Sequence, residues 1–446
     1  MDTRLQHSDH RRRSPFRRPR RALAVAALLS TALIAADSRR AGAGDDAVQL
    51  TVLSQFGDNP ALQNVLDELN ETFESNNPGI DVDIEYLTLD DLTRTVPTAL
   101  ASGEGPDVID YDANESSLGD LARNGLLASL DDYATSYEWT DRLAESALER
   151  TTFDGQLFGI GRSSEAVGLF YNADIFATHG IAAPDTYDAF ITAADTLAAA
   201  GITPIAFGNQ DQWPSSHLIG AALHATVPIE TITGIETLGG TGSWSDPAVI
   251  AAFDTGAGWA ASGYLTPDFN AVSFDDALKS FFAGEAGMFI EGTGVIPDII
   301  TNMEGVDVRF VPFPMQSGEP QQAEGGIGGA WAITASADAP DAAAAWIDFV
   351  HFSDDAEAAW FAAGVLPTTN FDGGSVEVDD LVRDSLDVVA AALDGGGIGY
   401  WTGYSSSPLV IDAWNGGAQL LLTGELDAET FAAQLQDALE QARSAG

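Results

Sequence analysis

Hydrophobic and polar positions follow a strand–helix–strand order from residue 48 onwards. The apolar bias of residues 48–53 predicts a strand, and Asn59-Pro60 is typical of the start of a helix. The apolar residues that follow at helical spacing are Leu62, Val65, Leu66, Leu69 and Phe73. Alternation over 80–86 predicts a second strand, and 108–111 a third. This order predicts a parallel sheet with right-handed crossovers.

Polar side chains stand where these strands end, which in open sheets of this kind is where ligands bind. The first two ends are Ser54-Gln55-Phe56 and Asp110-Tyr111-Asp112. A second unit repeats the pattern, because strand 203–207 leads to a polar turn with Asp211 and Trp213, and strand 286–290 leads to Glu291-Gly292-Thr293. The pattern therefore predicts two α/β lobes that face each other across a cleft.

The C-terminal third reads as mainly helical. Ser353 is a predicted N-cap, and residues 409–422 are predicted to form a helix. Helical spacing accounts for Trp346, Trp360 and Phe431 as core residues. The same argument predicts that Trp414 is buried.

Six stretches carry a family resemblance. They are residues 50–73, 101–112, 151–191, 280–293 (SFFAGEAGMFIEGT), 345–368 and 421–439. Together they cover nearly all of the chain after residue 45. In these stretches the chain resembles bacterial extracellular solute-binding proteins, and it is most similar to their maltodextrin-type, carbohydrate-binding branch.

The resemblance implies an α/β fold of the periplasmic-binding-protein-like type II, with two interleaved lobes around a ligand cleft and a hinge of several strands. The N-terminal lobe is expected to comprise 44–163 and 311–363, and the C-terminal lobe 164–310 and 364–446. The glycines at 325–329 are expected to return the chain to the first lobe beside the ligand. A phosphate-binding loop is the rival interpretation, but the G-x-G-x-x-G order is missing.

Sugar recognition needs aromatic faces for the apolar side of a pyranose, and oxygen acceptors for its hydroxyl groups. The resemblance places a ligand-bonding carboxylate at Glu165 and a stacking aromatic ring at Tyr111. Relatives carry a stacking Trp after the strand that ends at Glu291, whereas this chain reads Gly292-Thr293. Either the ligand is smaller or another residue takes the place of this Trp, and the possible replacements are Trp331, Trp401, Tyr404 and Asp412. The full set of predicted ligand-binding residues is Gln55, Tyr111, Asp112, Asn114, Glu165, Asp211, Trp213, Glu291, Trp331, Tyr404 and Asp412.

The charge balance limits the possible partners. Residues 1–43 hold ten Arg and three Asp, so residues 44–446 hold 9 basic and 64 acidic side chains, a net charge of −55. Nucleic acid is excluded as a partner, since its phosphates would be repelled. The acidity fits either adaptation to high salt or a coding bias toward Asp. A mean hydropathy of +0.01 argues against disorder.

The N-terminal segment predicts export. An Arg-rich start precedes the apolar run 22–36, which is short for a membrane span, and Ala41-Gly42-Ala43 offers a cleavage site before Gly44. Residues 1–43 therefore read as a signal peptide, through the general or the twin-arginine route. A retained anchor is the alternative. The chain has no Cys, which excludes disulfides and the lipidated Cys that tethers many relatives.

Together with these patterns, the resemblance implies a monomeric, exported sugar-binding protein that closes over a mono- or oligosaccharide. The partners that it implies are the permease subunits of an ABC importer with its cytoplasmic ATPase. No catalytic residue, cofactor or metal is expected. His217 and His224 share a predicted helix but lack H-E-x-x-H. The alternative function is a secreted glycoside hydrolase with paired carboxylates.

Overall fold

The computed structural model describes residues 47–445 except 58, 317, 319 and 372. The predicted export signal, residues 1–43, lies outside the described residues. The strands are β1 (Val48–Ser54), β2 (Ile80–Tyr86), β3 (Val108–Tyr111), β4 (Thr152–Phe153), β5 (Gln156–Leu157), β6 (Ile160–Gly161), β7 (Ser164–Asn172), β8 (Thr203–Ala206), β9 (Ala286–Gly292), β10 (Val308–Pro312), β11 (Gln322–Ala323), β12 (Gly325–Ile327), β13 (Ala330–Ile333) and β14 (Gly397–Ile398).

Helices cover the faces of the sheets and form most of the C-terminal third. They are α1 (Pro60–Asn76), α2 (Leu89–Ser102), α3 (Leu118–Arg123), α4 (Asp131–Ser136), α5 (Trp139–Arg142), α6 (Glu145–Thr151), α7 (Ala173–His179), α8 (Tyr187–Ala200), α9 (Pro214–His224), α10 (Ile229–Glu236), α11 (Pro247–Ala261), α12 (Phe274–Phe282), α13 (Ile296–Asn302), α14 (Pro340–Phe352), α15 (Asp354–Ala362), α16 (Asp380–Asp394), α17 (Pro408–Thr423) and α18 (Ala428–Ala445). Within the described residues, every helix is too short or too polar to span a bilayer.

The first sheet has the strand order β2-β1-β3-β13-β6. Strand β1 pairs in parallel with β2 and β3, as the alternating pattern predicts. Strand β13 then pairs antiparallel with both β3 and β6. A single core lies on this sheet, built from residues before 161 and from residues 327–365.

The second sheet has the order β10-β7-β9-β8, and β12 also pairs with β7. Strand β8 runs parallel to β9, whereas β7 runs antiparallel to β9, β10 and β12. Strand β9 extends to Gly292, so Glu291 lies within the strand and not after it. The buried residues around this sheet come from residues 166–439 and form the second lobe.

The chain passes between the sheets at three places. The first is 161–164, between β6 and β7, and the second is 327–330, between β12 and β13. The predicted return at 311 falls inside β10, which continues the second sheet because it pairs with β7. The third is at residues 366–368, beside the first crossing. There the Ser164 amide donates to the Leu366 carbonyl (3.0 Å), and the Thr368 hydroxyl donates to the Gly161 carbonyl (2.6 Å).

Local signals in the sequence set several element ends. The Asn59 side chain accepts a hydrogen bond from the Leu62 amide and caps α1, whose first residue is Pro60. Ser353 caps α15 in the same way. Trp346 and Trp414 are fully buried, which confirms their prediction as core residues.

Candidate ligand-binding cleft

Glu165 lies at the first crossing, as the second residue of β7 (Ser164–Asn172). The Ser163 hydroxyl donates to its Oε1 at 2.8 Å. A Cβ added to Gly328 would stand 1.7 Å from the same oxygen, so any larger residue there would displace the Glu165 carboxyl group. Burial raises the pKa of Glu165, although the charge of Arg162 opposes the shift. The glycine-rich turn thus leaves room for a carboxyl group between the two sheets.

Asp112 and Gln55 follow β3 and β1 at one edge of the first sheet, as predicted. No hydrogen bond or ion pair of the Asp112 side chain is found among the described residues, which leaves its oxygens available to a ligand. Burial raises the pKa of Asp112 to about 7, helped by the charges of Asp110 and Glu165. The negative charge of Glu165, on the crossing strand, thus contributes to the raised pKa of Asp112.

A buried ion pair joins the first lobe to the crossing. Arg162 Nε lies 3.3 Å from Asp110 Oδ1, and the side-chain Nε2 of Gln55 donates to the same oxygen at 2.9 Å. The Arg162 guanidinium also lies over the Phe56 ring, 4.5 Å from its centroid. Sequence reasoning missed Arg162. Its signal was the presence of a basic residue at a crossing in a segment with only 9 of them.

A second ion pair lies in the second lobe. His217 Nδ1, on α9, is 2.5 Å from Glu291 Oε1 on β9, and the Gly292 amide donates to that oxygen at 2.8 Å. The ring of His217 contacts the rings of both Trp213 and Trp401, with a centroid distance of 5.3 Å to each. These three rings form an aromatic row, and both tryptophans are partly exposed.

Trp401 lies beside the position where the expected stacking Trp is missing. A Cβ on Gly292 would be 4.0 Å from Trp401 Cη2 and 3.8 Å from Glu165 Oε2. Glu165 and Trp401 therefore both lie on the side of Gly292 toward which a side chain would project.

Two buried carboxyl groups hold the loop that carries Trp401. The Thr402 amide donates to Glu324 Oε1 at 2.8 Å, and the Gly403 amide donates to Glu236 Oε1 at 2.6 Å. Burial raises the pKa of Glu324 to about 7 and that of Glu236 to about 8. Nothing in the sequence distinguished these two from the other acidic residues.

The lobes touch each other at the cleft. The Ser116 hydroxyl is 2.5 Å from the Tyr404 carbonyl oxygen and 2.8 Å from Asn114 Oδ1. A second contact between the lobes joins the side-chain Nδ2 of Asn59, which donates, to Asp298 Oδ2 at 3.0 Å. Two predicted site residues, Asn114 and Tyr404, thus lie where the lobes meet.

The remaining predicted residues differ in their surroundings. Trp331 is fully buried in the first core, between Phe56 and Trp346, so the structure places it under the cleft surface. The four other candidates differ in their surroundings. Tyr111 is buried, Asp211 accepts from the Phe274 amide (2.7 Å), Trp213 belongs to the aromatic row, and Asp412 is exposed on α17. No group of three or more metal-ligating side chains occurs in the described part of the chain.

A cleft between two α/β lobes, lined by carboxyl groups and aromatic rings, defines a two-lobed binding protein. A family model described as bacterial extracellular solute-binding protein matches residues 54–356. The chain belongs to this family, and the fold is the type II periplasmic binding fold.

Individual relatives are distant. A putative binding protein of Brucella abortus (strain 2308) is 25% identical over 230 residues, which are 50% of this chain and 53% of that protein. The multiple sugar-binding protein of Streptococcus mutans is 20% identical over 300 residues, 66% of this chain and 68% of that protein. A solved chitin oligosaccharide binding protein has a TM-score of 0.80 at 24% identity, covering 90% of this chain and 100% of that one. The chain spans about half the length of the first curated relatives that it matches.

Proposed function

We propose that this protein is the extracytoplasmic binding component of an ABC importer, and that it captures a mono- or oligosaccharide between its lobes. The observation that carries the proposal is the position of Glu165. It extends from the crossing strand into the cleft beside Trp401, with Asp112 near it from the first lobe. Carboxylate acceptors next to an aromatic face match the two sides of a pyranose ring.

Capture would work through hinge closure. We place the first lobe at 48–163 and 328–365, and the second at 164–327 and 366–445, so the three crossings form the hinge. Closure excludes water from the cleft and strengthens each hydrogen bond to the ligand. The closed form is what the permease subunits would recognise. We propose that the mature protein is exported, without a lipid on Cys, and is monomeric. No chemical step on the sugar is part of this function.

The experiment is a thermal-shift screen of the parent protein against a panel of neutral mono- and oligosaccharides. A ligand at 100 times its Kd stabilises the folded state by about 2.7 kcal/mol, which raises the melting temperature. The bound sugar is then recovered after long incubation and analysed by chromatography. We expect it to be intact.

Glu165→Gln tests the site. One charge-assisted hydrogen bond contributes about 1.5–3 kcal/mol, so the variant should remain folded and bind the sugar more weakly by that amount. Glu68→Gln, which makes the same change on an exposed face of α1, is the matched control and should bind like the parent. If the parent protein cleaves the sugar and the Glu165→Gln variant leaves it intact, the protein is instead a hydrolase. A panel without any thermal shift would contradict sugar binding.

A further inference from the structure

We propose that His217 contacts the bound sugar directly, as an imidazolium cation whose Nε2–H donates a hydrogen bond to a ligand oxygen. This inference rests on the proposed function and adds to it a cationic donor in a cleft that otherwise offers carboxyl groups. It also gives Glu291 a role, as the residue that positions and charges the imidazole.

The geometry leaves one edge of the imidazole for a ligand. Nδ1 is 2.5 Å from Glu291 Oε1, and the imidazole contacts the rings of Trp213 (interplanar angle 69°) and Trp401 (33°), each at a centroid distance of 5.3 Å. Nε2 makes no hydrogen bond with the described residues, and the His217 side chain is 12% exposed. Nε2 is therefore the polar atom of this ring that remains available to a ligand.

The contact with Glu291 fixes where the ring carries its protons. A carboxylate accepts only, so Nδ1 must be the donor in this pair. In a neutral imidazole, Nε2 would then be an acceptor. Nε2 is a donor only when the ring is protonated, so the protonation state of His217 decides which ligand atom it can bind.

The surroundings keep the ring protonated at neutral pH. The acidic groups that face it are Glu291 on β9, Glu324 before β12, and Glu165 on β7. Burial by itself would lower the pKa of His217, but these charges outweigh it and raise the pKa to about 9. The cation is therefore a donor over the physiological range, and an ether, hydroxyl or amide oxygen of a sugar is its natural acceptor.

The first test reads the histidine itself. Spectra of protein labelled on the histidine ring should contain one resonance that titrates near pH 9 and is absent from His217→Gln. Burial lowers the pKa of His224 to about 4 and that of His351 to about 3, so neither is confused with it. Adding the best neutral sugar of the panel should shift this resonance and raise its titration midpoint, because the ligand binds the protonated ring.

The second test reads affinity against pH for the same sugar. The parent should lose affinity as pH rises through about 9, as His217 loses its proton. His217→Gln should bind roughly ten- to a hundredfold more weakly at pH 7 and should lack this alkaline loss. Glu291→Gln removes the partner charge, so the loss should move down toward about pH 6.5, the ordinary midpoint of a histidine.

A matched control separates this effect from the other titrating groups. Asp112, Glu324 and Glu236 also change charge between pH 6 and 9, but they remain in every variant. His179→Gln, on an exposed part of α7, should reproduce the affinity and the pH profile of the parent. If His217→Gln does not fold, the shifted profile of Glu291→Gln still decides the question.

The outcomes are distinct. Sugar binding by the parent together with a His217→Gln profile that superimposes on it within about twofold would overturn the role of His217 and leave the proposed function intact. A parent that binds no sugar of the panel would overturn both.

Discussion

The two faces of the cleft are built in opposite ways. In the first lobe the ion pair Arg162–Asp110 is buried, its guanidinium lies over the Phe56 ring, and Trp331 in the same core is fully buried. In the second lobe the pair His217–Glu291 lies within its aromatic row, and the rings of Trp213 and Trp401 remain partly exposed. Each face thus combines an ion pair with aromatic rings. The rings are buried in the first lobe, where they support the cleft, and partly exposed in the second, where a ligand can contact them.

The difference extends to the cations. A guanidinium stays charged at every pH of interest, so the first pair is a permanent connection between a lobe and the hinge. An imidazolium is held only by its neighbours, so the second pair can change state. We infer that the Arg162–Asp110 pair fixes the shape of the cleft, whereas the His217–Glu291 pair responds to the ligand.

Breaking the first pair should have the largest effect. Arg162→Leu leaves the Asp110 carboxylate buried without its cation, and such a loss costs about 3–5 kcal/mol. Urea unfolding should show that decrease in the free energy of unfolding. Arg383→Leu, which breaks the exposed pair with Asp380, is the control and should cost less than about 1 kcal/mol. Equal costs for the two variants would show that the first pair supports nothing.

Two tryptophan substitutions sharpen the comparison. Trp331→Ala should lower the free energy of unfolding by about 3–5 kcal/mol, because it leaves a cavity in the core. Trp401→Ala should weaken sugar binding by about 1–3 kcal/mol with a smaller loss of stability, because its ring is partly exposed. Paired urea unfolding and titration calorimetry would measure both quantities. A large affinity loss confined to the Trp331 variant would reverse the roles assigned to the two faces.

The sequence predicts the local elements of the first lobe better than it predicts the pairing of distant strands. Alternation and helix caps sufficed for β1, β2, β3 and α1, because these signals are local. The antiparallel addition of β13, and the continuation of the second sheet through β10, depend on pairings between distant segments. No spacing in the sequence predicts such pairings.

The same limit applies to the site. Glu165 and Asp112 could be chosen from their positions at the crossing and at a strand end. Arg162, Glu236 and Glu324 could not, because only the fold shows that they are buried. His217 could not be chosen either, because its partner Glu291 lies far away along the chain.

Glu236 offers a smaller, pH-dependent test on the second face. Its carboxyl is fully buried and its pKa is raised to about 8, whereas an unfolded Glu titrates near 4.5. The unfolded chain therefore releases this proton first as pH rises, and stability falls between about pH 4.5 and 8. Glu236→Gln keeps an acceptor for the Gly403 amide and should gain roughly 1–4 kcal/mol at pH 8, and little at pH 4. Unfolding curves at both pH values check it, and a gain independent of pH would contradict the cause.

The smallest expected effect is that of salt on stability, and it distinguishes the charged surface of the protein from the buried ion pairs of the cleft. Residues 44–446 carry a net charge of −55, and this repulsion is screened within a few ångströms at molar salt. The melting temperature of the parent should therefore rise by a few degrees from low to molar KCl. Buried pairs are screened far less, so the deficit of Arg162→Leu relative to the parent should stay constant across the same series. A parent that does not respond to KCl would favour coding bias as the origin of the acidity. If the difference in melting temperature between Arg162→Leu and the parent vanishes in high salt, water and ions reach the Arg162–Asp110 pair. The pair would then not be buried in solution.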